Sequence, residues 1–457
     1  MQIGWHELGS KRADAADGET IELHGFPVAF HPSSRATRFL LVADAPCCAG
    51  CVPGDPVAMV EVQAASPVAM QSGALRLAGR WQVARNSRDA PRYQLLDAHT
   101  LEPPGWRGIT RRGVLAAAGP LICLGTRAAS ADPAQAQAVI AASTTVDIHS
   151  HAQWGIVTGP TPDVTTVSAP MRQGGMKVAC LAITTNQFTA VANVGGIATF
   201  RDPTTVTLYE LGQKRFASLH KVVQTQGLAV ITDAAEMRAA QAGSPSVVIA
   251  AEGADYLEGQ IDRVDEAYTK WSLRHLQLTH YRVNELGDIQ TTPAVHGGLT
   301  DFGAEVIRRC NRLGIVVDVA HGTYDLVKRA VSVTTRPIVL SHTNLHAWPG
   351  TYARQITAAH AKLIAETGGV IGVWPPAHEF PTMGAMAAGM ARMVDAVGID
   401  HVGLGTDLRG LGAATVFPDY DRLPALAEAL LQAGFSPTDA GKILGGNYAR
   451  VFTSCVA

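Results

Sequence analysis

His149 and His151 stand two residues apart in the run TTVDIHSH, just behind an apolar stretch. Residues so spaced on an extended chain project to one face, where two imidazoles can grip a single cation. Other apolar runs end in the same way: SVVIAAEG in Glu252, LRHLQLTH in His280, GIVVDVAH in His321, PIVLSHTN around His342 and HVGLGTDL around Asp407. Glu252 precedes Gly253, so its carboxylate is offered from a turn and can bridge two cations. His321 and His342, from consecutive runs, would complete a second ion. Neutral imidazole combined with carboxylate suits zinc or similar transition ions better than calcium or magnesium. The expected cofactors are therefore two divalent ions of zinc type. Their chemistry would be hydrolytic, with a water polarised to hydroxide near neutral pH for attack on a carbonyl. His220, His296, His346, His360, His378 and His401 follow no such run and read as ordinary core or surface histidines.

Groups from separate runs meet only if the fold converges the run ends. From Asp132 onward, eight apolar runs alternate with Ala-rich helical stretches, MKVACLAIT and GVIGVWPP being the two not yet named. Stretches such as DFGAEVIRRCNRLG and YDLVKRAVSV repeat apolar residues at helical spacing. Strands alternating with helices indicate a parallel sheet, and eight such units an α/β fold of the (β/α)8, TIM-barrel type. Active sites of such barrels lie at the C-terminal strand ends, where these polar residues fall.

Residues 1–108 read differently, as a small β-rich domain of short alternating runs: TIELHGFPVAF, RFLLVA, PVAMVEV, ALRLAGRWQVA and RYQLLDA. Cys47, Cys48 and Cys51 contain a CxxC spacing, which could bind a metal, form a disulfide or do neither. Between this domain and the barrel at 132–457, residues 109–131 have the features of a twin-arginine export signal. Arg111 and Arg112 form the charged start, Val114 to Leu124 the apolar core, and Ala129-Ser130-Ala131 the cleavage-type ending. That predicts an exported or periplasmic product. Its internal position points either to a fused upstream domain or to two products read as one, and an Ala-rich linker helix is the plain alternative.

The chain of 457 residues carries a formal net charge of -2, which removes the basic footprint of a nucleic-acid or anionic-membrane partner. A small-molecule substrate is expected, without a stable membrane span; a homodimer stays open. The seven cysteines form no readable disulfide framework.

In order along the chain, DIHSH at 147–151, AEGAD at 251–255, LTHYRVN at 278–284, DVAH at 318–321, PIVLSHTN at 337–344, HVGLGTD at 401–407 and GGNYARVF at 445–452 resemble the membrane dipeptidase (renal dipeptidase) family of amidohydrolase-like barrels. The resemblance implies hydrolysis of a dipeptide or related amide. It implies that His149 binds the first ion, Glu252 bridges both, and His321 and His342 bind the second. It further implies that His280 faces substrate and stabilises the tetrahedral intermediate, that Asp407 is the carboxylate near the bridging water and handles the proton, and that Arg354 contacts substrate. The chain departs from the family at one ligand position, where HxH replaces HxD and His151 stands for a carboxylate. That swap removes a negative charge and bears on substrate more than on hydrolysis. Other amidohydrolase activities on the same barrel, toward a lactone, cyclic amide or N-acyl amino acid, are the first alternative. A single-metal deaminase and a non-catalytic metal-binding protein are the others.

Overall fold

The computed structural model describes residues 5–29, 35–42, 59–69, 75–83, 92–101, 133–151, 166–185, 207–346, 354–411 and 414–456, apart from 6 and 9. Among them the chain divides into two compact units, one within residues 1–130 and one covering 131–457. The export-like segment 109–131 and the cluster Cys47, Cys48 and Cys51 lie outside the described residues.

The first unit is a closed barrel of five strands, β1 (Thr20–Ala29), β2 (Arg35–Val42), β3 (Met59–Ala69), β4 (Leu75–Val83) and β5 (Tyr93–Thr100). Their order is β1-β2-β3-β5-β4, with β4 returning to β1. Only β3 and β5 run parallel, the layout of the Greek-key barrel of OB type. Alternating residues Ile21, Leu23, Phe39, Leu41, Val60, Val62, Leu77 and Leu95 fill it, as the alternation in the five runs predicts. Trp81 stacks on Tyr93 with ring centroids 5.0 Å apart and donates its indole N–H to the Ala13 carbonyl at 2.9 Å, fixing a short helix against the barrel.

The second unit contains β6 (Val146–Ser150), β7 (Val178–Thr184), β8 (Ala229–Val230), β9 (Ser246–Glu252), β10 (Leu273–Gln277), β11 (Val316–Asp318), β12 (Val339–Thr343), β13 (Val370–Val373) and β14 (Val402–Leu404). Eight of them, β6-β7-β9-β10-β11-β12-β13-β14, pair in parallel, and β14 pairs back onto β6 to close the barrel. All eight predicted runs are strands of this ring. The two-residue β8 lies alongside β9 and was not anticipated. Helices cover the outside, and the amphipathic stretches at Asp301–Leu313 and Tyr324–Val333 are helices capped by Thr300 and Thr323. The C-terminal helix Asn447–Val456 brings Tyr448, Val451 and Phe452 against Val146, Val178, Val316, Val339 and Val370 at the starts of the strands. This end is packed shut, which leaves the opposite end for chemistry. No described helix is long and apolar enough to cross a membrane.

Two strand irregularities matter for the site. The pairing of β12 with β13 shifts between Leu340 and Thr343, and that of β6 with β7 between Asp147 and Ser150. The shifts therefore bracket His342 and His149, where a bulge can re-aim a side chain. At the first of them the Ser341 carbonyl takes up the room left by two glycines, since a Cβ on Gly372 or Gly405 would sit 1.7 or 1.8 Å from that oxygen. Gly405→Ala must displace the peptide that carries His342. We expect a loss at the upper end of the ~1–3 kcal/mol that overpacking costs, measurable by urea unfolding, together with weaker metal uptake.

Candidate active site

Each polar strand-end residue singled out in the sequence arrives at one place. Glu252, at the end of β9, lies at the centre. Its Oε1 is 3.4 Å from His149 Nε2, 3.3 Å from His280 Nε2, 3.3 Å from His321 Nε2 and 3.6 Å from His342 Nε2. Its Oε2 is 3.3 Å from His151 Nε2. Asp407, just beyond β14, places Oδ1 3.4 Å from His151 Nε2 and 3.9 Å from His149 Nε2. Glu252 and the five imidazoles are at most 3 % exposed and Asp407 is 8 % exposed.

Such a cluster without a cation is electrostatically and sterically unsatisfied. The Nε2 atoms of His149 and His151 and Oε2 of Glu252 are buried and lack a hydrogen-bond partner. His151 Nδ1 lies 2.9 Å from the Ala182 carbonyl. A carbonyl only accepts, so Nδ1 bears the proton and Nε2 turns a lone pair to the cluster. His342 Nδ1 is tied to Ser341 Oγ at 2.9 Å, and the Nε2 atoms of His321 and His342 stand 3.0 Å apart. Among the described residues, three overlapping triads have ligand atoms close enough to share an ion: His149, His151 and Asp407; Glu252, His280 and His321; and His149, Glu252 and His342. Asp407 and His280 thus both stand among the potential ligands. The donor set fits divalent transition ions.

The electrostatics agree. Burial, reinforced by neighbouring charge from Arg354 or His149, holds His321 and His342 well below the usual imidazole range. Burial likewise pushes His280 down to about 4. Burial alone would raise Glu252, but the His280 and His149 imidazoles outweigh it and keep the carboxylate ionised. His151 goes the other way: burial lowers it, yet the Asp407 and Glu252 carboxylates facing its Nε2 lift it to about 10. That corner of the cluster demands a positive charge, which a metal ion can supply in place of a proton.

His321 and Asp407 have φ of 66° and 49°, left-handed values that non-glycine residues adopt at a cost of about 1–3 kcal/mol. Arg354 is buried beside the cluster. It donates to Gln290 Oε1 at 2.6 Å and to the His342 carbonyl at 3.4 Å, and lies 5.4 Å from the centre of the Trp374 ring. The Trp374 ring stacks on His342 with centroids 5.6 Å apart. The sequence reading passed over Trp374 because an apolar residue ending an apolar run carries no anomaly. Of the histidines set aside, His220 and His401 bond to the carbonyls of Trp271 and Gly369 and are structural. His296 and His346 are exposed, and His360 is buried against Tyr324.

A model of the membrane dipeptidase family, peptidase family M19, matches residues 133–456. The chain belongs to the membrane dipeptidase family. One relative is the dipeptidase tcpJ of Claviceps purpurea (strain 20.1), 27% identical over 47% of this chain and 52% of its own length. The chain spans about half the length of the curated relatives it matches. Solved structures of two other proteins share the barrel. The probable dipeptidase PvdM from Pseudomonas aeruginosa superposes with a TM-score of 0.61 at 17% identity, over 71% of this chain and 98% of that one. A metallo peptidase from Rhodobacter sphaeroides, liganded with a phosphinate mimic of the dipeptide L-Ala-D-Ala, superposes with a TM-score of 0.57 at 21% identity, over 69% and 99%.

Proposed function

We propose that the barrel is a metal-dependent dipeptidase that uses two divalent ions, zinc first among them, to hydrolyse a dipeptide amide bond. The observation that carries this reading is Glu252, ringed by five imidazoles at 3.3–3.6 Å with Asp407 beside them. His149 and His151 would hold the first ion, Glu252 would bridge, and His321 and His342 would hold the second. When bound, the ions would supply an activated water near neutral pH and Lewis-acid assistance at the substrate carbonyl. Asp407 would take the proton of the attacking water and return it to the leaving amine, since its oxygen faces the same space as His149 and His151. His280, held neutral by burial, would donate through Nε2 to the developing oxyanion.

Arg354 would bind the substrate carboxylate. It is oriented before substrate arrives by Gln290 and the His342 carbonyl. Arg354→Lys keeps the charge but loses the planar fork. We expect KM for a dipeptide to rise about 10- to 100-fold with a smaller change in kcat, the signature of lost ground-state binding to a charged group. Steady-state kinetics on the variant decide it, and an unchanged KM removes Arg354 from the binding site.

His151 favours a second reading on the same barrel, hydrolysis of a lactone, cyclic amide or N-acyl amino acid, because the imidazole leaves the first ion more electrophilic. Elemental analysis joined to a panel of dipeptides of both stereochemistries, lactones and N-acyl amino acids tests both readings. Two ions per chain with dipeptide turnover support the first. Two ions with turnover only of the other classes support the second, and a metal-loaded protein inert to the whole panel overturns both. Export to the periplasm is proposed from residues 110–131 alone, and fractionation of expressing cells with and without Arg111 and Arg112 replaced by Lys tests it.

A further inference from the structure

Two carboxylates that the proposed chemistry does not use are fully buried beside the cluster, Asp147 and Asp318. Among the described residues, neither belongs to a triad able to share an ion. Each reaches from its own strand to the next in the barrel. Asp318, closing β11, accepts through Oδ1 from the backbone N–H of Ala320 at 2.9 Å and of Ser341 at 3.0 Å. Those two residues immediately precede His321 and His342. Asp147, in β6, accepts through Oδ1 from the backbone N–H of Thr406 at 2.9 Å, and through Oδ2 from the Thr406 hydroxyl at 2.5 Å. Thr406 immediately precedes Asp407, whose own N–H donates to the His149 carbonyl at 2.9 Å.

Through Oδ2 each carboxylate is also fixed from outside the two strands it joins. Asp318 Oδ2 lies 3.1 Å from His275 Nε2, and His275 Nδ1 lies 2.9 Å from the Tyr448 hydroxyl. An ionised carboxylate only accepts, so Nε2 carries the proton and Nδ1 accepts from Tyr448. The motif GGNYARVF thereby connects the C-terminal helix to the second pair of histidines. Asp147 Oδ2 accepts from the Tyr420 hydroxyl at 2.9 Å. Both clamped segments run into a strained residue, His321 with φ of 66° and Asp407 with φ of 49°.

We propose that Asp147 and Asp318 are positioning residues, one for each ion: Asp318, backed by His275 and Tyr448, sets the pitch between His321 and His342, and Asp147 sets Asp407 against His149. The proposal rests on the two-ion reading above. Each carboxylate gives buried donors of the neighbouring segment one rigid acceptor and holds a left-handed turn that would otherwise relax.

The test titrates Co2+ alone into metal-depleted full-length protein, following its visible absorption, with His149→Ala and His342→Ala as reference spectra for loss of each ion. Asp318→Ala should weaken one ion about 10- to 100-fold, leave the other unchanged, and give the His342→Ala spectrum. Asp147→Ala should do the converse and match His149→Ala. Both ions binding at parental affinity in folded variants overturns the proposal, and so does an equal loss of both ions in both variants. Where the alanine variants do not fold, Tyr448→Phe decides. It removes one hydroxyl and should weaken the second ion about tenfold, the low end for outer-shell partners; unchanged affinity overturns the relay. A parent protein that takes up fewer than two ions overturns the two-ion reading instead.

Discussion

Glu252→Gln should reduce turnover by at least about 10²–10³-fold while the barrel stays folded. The substitution keeps the shape of the side chain and exchanges one oxygen for an NH2 group. In the parent, both oxygens face imidazole nitrogens at 3.3–3.6 Å, and burial leaves no solvent to compensate a mismatch. An amide nitrogen turned toward those lone pairs cannot ligate, and the amide has no charge to offset a divalent ion. The ionised state of Glu252 is what the surrounding imidazoles favour, so the variant loses the single anion at the centre of the cluster. Turnover and metal content should therefore fall together, with a circular-dichroism melt confirming a cooperative fold. A variant that keeps near-parental turnover removes Glu252 from the chemistry and with it the proposed mechanism.

The convergence on Glu252 was legible because each ligand interrupts a pattern. A run such as SVVIAAEG or GIVVDVAH is buried as a strand, and a carboxylate or imidazole at its end contradicts the run unless something binds it. Eight such runs sufficed to read the ring, since parallel strands covered on both sides are apolar throughout. Asp147 and Asp318 are also buried in these runs, yet their partners are backbone N–H groups of the neighbouring strand. Only the register of the closed barrel creates that contact, and no residue type announces it. His275 was equally silent, because one histidine inside LRHLQLTH is indistinguishable from a satisfied core residue until Tyr448 and Asp318 are seen on its two nitrogens.

The irregular pairings at Ser341 and Asp147 explain a further gap. A period-two reading assigns faces by alternation, and a bulge breaks the count at the residues that matter most. In the first unit the five runs were readable, whereas closure was not: β3 pairs with β5 in parallel across the intervening β4, a long-range choice fixed by packing around Trp81 and Tyr93. The triad of Asp407 with His149 and His151 was missed for a related reason, since it joins the first and last strands of the ring.

Chelation should abolish turnover and also lower the melting temperature by about 5–10 °C, both reversed by adding zinc. The second effect follows from the packing. Five imidazoles and Glu252, at most 3 % exposed, crowd around a common point, and the Nε2 atoms of His149 and His151 and Oε2 of Glu252 have no hydrogen-bond partner there. Burying polar atoms without partners costs free energy, and facing lone pairs add repulsion. An ion that binds the folded state alone stabilises it by roughly 4 kcal/mol at a thousand times its dissociation constant, and each kcal/mol is roughly 1.5 °C in a domain of this size. The effect belongs to the second unit, so a protein beginning at Asp132 should show the same metal content and the same shift as the full chain. A shorter protein that is metal-poor would instead assign metal loading to the first unit, and Cys48 and Cys51 would be the residues to replace next. A melting temperature indifferent to chelator, in protein shown by elemental analysis to have lost its metal, would mean that the cluster is content without a cation.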